Sequence, residues 1–247
     1  SCKYKAQIRQ KGDLVDHIKK IKINNNEHLI SSIRVKLRKG NIQNATNFNL
    51  FLPVTRNKNS EVFTTILMKN NNFISPNTFF VKVDFNGYVT NYLFQEEIRK
   101  ELIENSGYIE GPLLKGDETL LYSKNNISDL NTLRFNLNNI MAIKFINKKY
   151  MLKEHIFEKS FNSYMSLQNS FLDFLNPNYN DELFFNPNFK NSHKNFYDKF
   201  NFLMIAIGGQ HGLIKNNRRF YFNLIREYFH PIYYDGSGSI QAMNSTD

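Results

Sequence analysis

Asn86-Gly87 sits between two runs, Phe79–Phe85 and Tyr88–Phe94, in which apolar and polar residues largely alternate. No other short signal in the chain narrows the fold as much. A tight two-residue hairpin turn needs positive φ at both positions, and Asn followed by Gly meets that need at least cost. The flanking period of two puts one face of each run against a core. Residues 4–10 and Ile33–Leu37 (IRVKL) alternate in the same way, the first running into the turn Lys11-Gly12-Asp13. The front of the chain therefore predicts an antiparallel sheet. Ile98, Leu102 and Ile103 recur at helical spacing within 95–103, and Gly107 is placed to cap that helix, so one helix is expected on the sheet. Gly111-Pro112 punctuates the end of this half.

From about Leu130 the period lengthens. Leu133, Leu137, Ile140 and Met141, then Ile156, Phe157, Phe161, Tyr164 and Leu167, predict amphipathic helices. A loop with Asn176-Pro177 and Asn186-Pro187 follows, and then a helix from about Lys194 to Ile207, ended by Gly208-Gly209. A last hairpin pairs Arg219–Phe222 with Phe229–Tyr234. The expected class is α+β: one domain with a sheet-rich part over 1–112 and a mainly helical part over 113–247 that carries a late β-hairpin.

The net charge of +10 attracts polyanions, yet the basic residues are scattered and form no nucleic-acid-binding arm. No strand interleaves aromatics with Arg and Gly as RNA-recognition sheets do, so a nucleic-acid partner is not expected. Asparagine supplies about one residue in seven, in short runs that read as codon bias rather than low complexity. Cys2 is the only cysteine, which excludes an internal disulfide and a cysteine-based zinc site. No apolar run reaches membrane-spanning length, and no signal peptide is visible. Both ends read as cut, so targeting and compartment stay open.

Chemistry concentrates in the closing segment, HGLIKNNRRFYFNLIREYFHPIYYDG, from His211 to Gly236. Asn217 and Asp235 begin and end its hairpin, and an amide and a carboxylate so placed are the hard-oxygen pair that suits magnesium. Phosphoryl transfer also needs backbone N–H groups and a Lys over the phosphates, with a carboxylate orienting that Lys. The chain offers Gly12, Lys36 and Glu96 for these parts, in that order. Each has an ordinary reading: Gly12 as a turn residue, Lys36 as a solvated strand residue, and Glu96 as an acid at a helix start. Asn217 is unexceptional in an Asn-rich chain, and Asp-Gly is a common turn dipeptide. Only the ordered set points to phosphates. No GxSxG elbow, HxH or HExxH spacing supports a nucleophile or a catalytic zinc.

Taken in order, four blocks resemble the spore-coat protein H (CotH) kinase-like family: AQIRQKGDLVDH, SIRVKL, YLFQEEIRKELIENSGYIEGPLL, and the closing segment. The resemblance spans about residues 6–236. It implies an atypical protein-kinase-like fold that binds ATP with Mg²⁺ or Mn²⁺ and phosphorylates Ser or Thr of a protein substrate. Carried over by position, Lys36 belongs to the phosphate-binding strand and Glu96 is its partner, while Asn217 and Asp235 hold the metal. The family's pattern places a catalytic Asp five residues before the Asn, where this chain has Gly212, preceded by His211. His211 is therefore the expected substitute base. A catalytically impaired pseudokinase, serving as a cell-surface or coat interaction module, is the alternative.

Overall fold

The computed structural model describes residues 2–12, 17–23, 26–85, 87–117, 143–175, 185–187 and 193–239. The expected helix around Leu133–Met141 and most of the Asn-Pro loop lie outside these residues. The class is α+β, with antiparallel sheets and several helices.

The first sheet has five antiparallel strands, in the order β1-β4-β5-β7-β6. They are β1 (Ala6–Gln10), β4 (Ile33–Leu37), β5 (Asn47–Phe51), β7 (Tyr88–Glu96) and β6 (Thr78–Phe85), with β2 (Ile18–Ile23) and β3 (Asn26–Ser31) forming a separate hairpin. The 78–96 hairpin forms, with Gly87 at φ of 92° and its N–H donating to the Asp84 carboxylate at 2.6 Å. In β4 the alternation is realised directly. Ile33, Val35 and Leu37 are buried with Phe48, Leu50, Tyr92 and Phe94, while Arg34 and Lys36 point to the other face.

β7 differs along its length. Its first half alternates, but its second half is buried on both faces because β5 and β6 flank it and helix α1 (Asn59–Asn70) packs nearby. The strand runs on through Gln95 and Glu96, which pair with Asn49 and Phe48 of β5. The helix expected over 95–103 therefore starts later, as α2 (Lys100–Asn105), because strand pairing claims the first two residues.

The second sheet is four-stranded, in the order β11-β10-β8-β9: β11 (Tyr228–Ile232), β10 (Arg219–Asn223), β8 (Leu113–Gly116) and β9 (Ile143–Phe145). After α3 (Lys148–Met151), the long helix α4 (Glu154–Leu175) and α5 (Lys194–Ala206) cover it through Leu167, Phe171 and Tyr197, which meet Phe220 and Phe229. Burying such aromatics contributes roughly 1.5–3 kcal/mol each before entropy is counted. Backbone contacts join the two sheets directly. Between α1 and β6, Ile74 bridges Ile232, and its carbonyl accepts the Tyr233 N–H at 2.9 Å. The chain leaving β11 is thereby held beside α1. Among the described residues no helix is long and apolar enough to cross a membrane.

Candidate functional site

The segment leaving β11, Tyr233-Tyr234-Asp235, runs into a corner built by both sheets. Tyr233 is fully buried, and its hydroxyl donates to Glu61 of α1 at 2.6 Å. The same carboxylate accepts the Gln95 side-chain N–H at 2.7 Å. Gln95–Glu61–Tyr233 thus ties β7, α1 and the β11 exit into one buried polar chain, and every member has a partner. Burial pushes the Glu61 carboxyl above its ordinary value, against the opposing pull of Arg56 and the two hydrogen bonds.

Asp235 follows with φ of 48°, a left-handed conformation. Its carboxylate is ion-paired with Arg56, which ends the short helical turn Pro53–Arg56 after β5. Arg56 is buried and lies over the Phe51 ring at 4.3 Å. The other Asp235 oxygen is 3.9 Å from His211 Nε2. Asn217 meets the same residue at its backbone, donating its side-chain N–H to the His211 carbonyl at 3.1 Å. Gly212 allows this convergence, since a Cβ there would lie 2.9 Å from the Tyr234 carbonyl oxygen.

Tyr234 shows the charge of the corner. Burial pushes its phenol up, but Lys11, Arg56, Arg219 and Lys115 outweigh that and bring it to about 8. The Arg219 guanidinium sits 4.3 Å from the ring centroid. Burial, helped by Arg56, holds the His211 imidazole below its ordinary value, so it is neutral at pH 7. Arg218 is structural. Its guanidinium is fully buried and donates to the carbonyls of Leu213 and Phe185 and to Asn201 Oδ1 at 2.9, 3.3 and 3.4 Å.

The expected site residues divide into two groups. His211, Asn217 and Asp235 come together, as just described. Gly12 has φ of 110° and is closely overlain by the His17 ring, so its local packing already demands glycine. It lies next to Lys11, one of the cations around Tyr234. Lys36 lies on the face of the sheet shared by Arg34, Asn49 and Gln95, as the cross-strand register requires. There it lines a cleft of ≈ 350 Å³ with Arg9, Arg34 and Arg99. Glu96 pairs with Phe48, which pairs with Val35, so its side chain leaves the opposite face. The expected Lys36–Glu96 pair is not formed. Arg34 instead pairs with Glu97 at 2.5 Å, and the cation beside Glu96 is Lys69.

Sequence reasoning missed Arg56, Glu61, Lys11, Lys115, Arg219 and Tyr234. Glu61 left no apolar trace, because the buried face of α1 is Glu61, Thr64, Thr65 and Met68. Compared with known proteins, the sequence matches no family model and no curated protein.

Proposed function

We propose that this corner binds the phosphates of ATP together with Mg²⁺ or Mn²⁺, and that the chain is a CotH-like atypical kinase domain. In this reading the five-stranded sheet is the nucleotide-binding lobe, the rest is the helical lobe, and a protein Ser or Thr receives the phosphoryl group. The observation that carries it is the cationic corner around Tyr234, where the Arg219 and Arg56 guanidinium carbons lie 4.3 and 5.8 Å from the ring centroid and Lys11 and Lys115 add their charge. Such a concentration of positive charge in a partly water-excluded corner is suited to a polyanion.

The donor set fits a magnesium ion of the phosphate-bound kind, which takes one or two protein oxygens and completes its shell with water and phosphate. Asp235 offers a carboxylate, and the side-chain oxygen of Asn217 is oriented by the bond its amide nitrogen makes to His211. Among the described residues no three His, Cys, Asp or Glu side chains converge, so an all-protein cage is not available. The ion, when bound, neutralises charge developing on the transferred phosphoryl group. Arg56 must release Asp235 for the carboxylate to serve. His211, neutral and half-exposed, accepts the proton of the acceptor hydroxyl, and Asp235 at 3.9 Å favours the imidazolium that results.

The Arg56–Asp235 ion pair also favours a second reading, a pseudokinase in which Arg56 keeps the carboxylate from metal and the fold serves as an interaction module. Transfer of labelled phosphate from ATP to a mixed Ser/Thr peptide substrate separates the two. The kinase reading expects transfer that falls about 10²-fold or more in His211→Ala. ATP binding with no transfer supports the pseudokinase, and transfer unchanged in His211→Ala refutes the assigned base.

A further inference from the structure

A second cavity, of ≈ 440 Å³, lies on the side of the first sheet to which Glu96 points, between the end of α1 and α2. Its floor is apolar, made by Phe73, Ile74 and Leu102, all buried. Among neutral amides and hydroxyls, such as those of Asn72, Asn105 and Tyr108, its two charged groups are opposite in sign. The Glu96 carboxylate is buried and accepts only long hydrogen bonds, from the Asn77 N–H at 3.3 Å and the Asn105 side chain at 3.5 Å. Lys69 stands at the exposed rim and donates to the Asn77 side-chain oxygen. Lys69 and Glu96 do not form a direct ion pair, because Asn77 stands between them and engages both. A third group, the Ser75 hydroxyl, is fully buried in the lining and has no hydrogen-bond partner.

A buried carboxylate held only by two long hydrogen bonds, and a buried hydroxyl with none, are costly unless something else satisfies them. The direction of the shifts agrees: burial pushes Glu96 up and Lys69 down, and their attraction for each other only partly offsets it. A single ion would satisfy one group and repel the other. A neutral sugar would leave both charges unmatched. A ligand carrying a cation and an anion a few bonds apart matches both, and the apolar floor suits a hydrocarbon side chain.

We infer that this cavity binds a free α-amino acid with an apolar side chain, its ammonium toward Glu96 and its carboxylate toward Lys69. The site is separate from the phosphate corner and does not depend on kinase activity.

The test is a titration of the full chain with L-leucine, followed through the backbone amide resonances of Ser75, Asn77 and Ser106. Binding in the millimolar range, about 1 mM, is expected to move all three. N-acetyl-L-leucine and L-leucinamide each lose one charge and are expected to bind at least about tenfold more weakly. Lys69→Met should erase the preference for L-leucine over leucinamide, and Glu96→Gln the preference over N-acetyl-leucine. If Glu96→Gln fails to fold, Lys69→Met at the exposed rim and the two derivatives on the wild type still decide. L-leucine leaving these resonances unmoved, or binding no better than its derivatives or D-glucose, overturns the proposal.

Discussion

Arg56 and Asp235 are ion-paired across the junction of the two sheets, one ending the turn after β5 and the other ending the exit from β11. The pair has a structural and a functional role at once. It neutralises two largely buried charges, and it occupies the carboxylate that a metal would need. Asp235→Asn removes the direct ion-pair partner and leaves the buried Arg56 with only its attraction to Glu61. The expected loss of stability is about 2–4 kcal/mol, read from urea unfolding, with more lost than in Asn217→Ala.

Tyr234 is expected to ionise early. Its folded value of about 8 lies below the ordinary 10, so the folded state releases this proton more readily than the unfolded one. The linked stabilisation is therefore complete above pH 10 and is lost as pH falls through 8. Near-ultraviolet phenolate absorbance should show one tyrosine titrating near pH 8, well before Tyr92 at about 12. Tyr234→Phe should abolish this phase. Inorganic triphosphate should shift it to higher pH, since an anion in the corner opposes a phenolate.

Glu61 should behave in the opposite sense to an ordinary carboxylate. Its folded value is raised, so its contribution is fully present below 4.5 and is lost as pH rises through the folded value. Relative to Glu61→Gln, the wild type should therefore gain stability on acidification from neutral pH toward 4.5, measured by thermal unfolding in parallel. Glu61→Ala leaves Tyr233 and Gln95 without their shared acceptor and should cost about 2–4 kcal/mol.

Arg218 illustrates a buried charge whose role is to brace. Burial brings its guanidinium down to about 10, and three oxygens from Leu213, Phe185 and Asn201 hold it. Arg218→Met should destabilise by about 2–5 kcal/mol while leaving triphosphate affinity per folded molecule unchanged. Loss of affinity in the folded fraction would show that Arg218 belongs to the binding corner.

The 78–96 hairpin and strand β4 were legible because Asn86-Gly87 and the IRVKL alternation are local signals, fixed by turn chemistry and strand period. The closing hairpin was legible for the same reason, and it carried Asn217 and Asp235 with it. Helix α1 was not, because its buried face is Glu61, Thr64, Thr65 and Met68 while Phe63 and Ile66 face solvent, so hydrophobic period gave no signal. The cation cluster was equally hidden. Lys115 and Arg219 meet as partners in the β8–β10 pairing, whereas Lys11 and Arg56 come from the other sheet, and contacts between residues distant in sequence, such as those of 74 with 232–233, bring the two sides together. Lys36 and Glu96 failed as a pair for a simpler reason. Register across β4, β5 and β7 sends their side chains to opposite faces, and a one-residue difference in parity cannot be seen before the strands are aligned.

The central claim is that the corner around Tyr234 and Asp235 holds nucleotide phosphates with a metal. Calorimetric titration of ATP into wild type and Asp235→Asn, with and without Mg²⁺, tests it most directly. The wild type should bind ATP more tightly with Mg²⁺ by about tenfold or more, and Asp235→Asn should bind without that increment. No binding by the wild type, or a magnesium increment that survives intact in Asp235→Asn, would contradict the account.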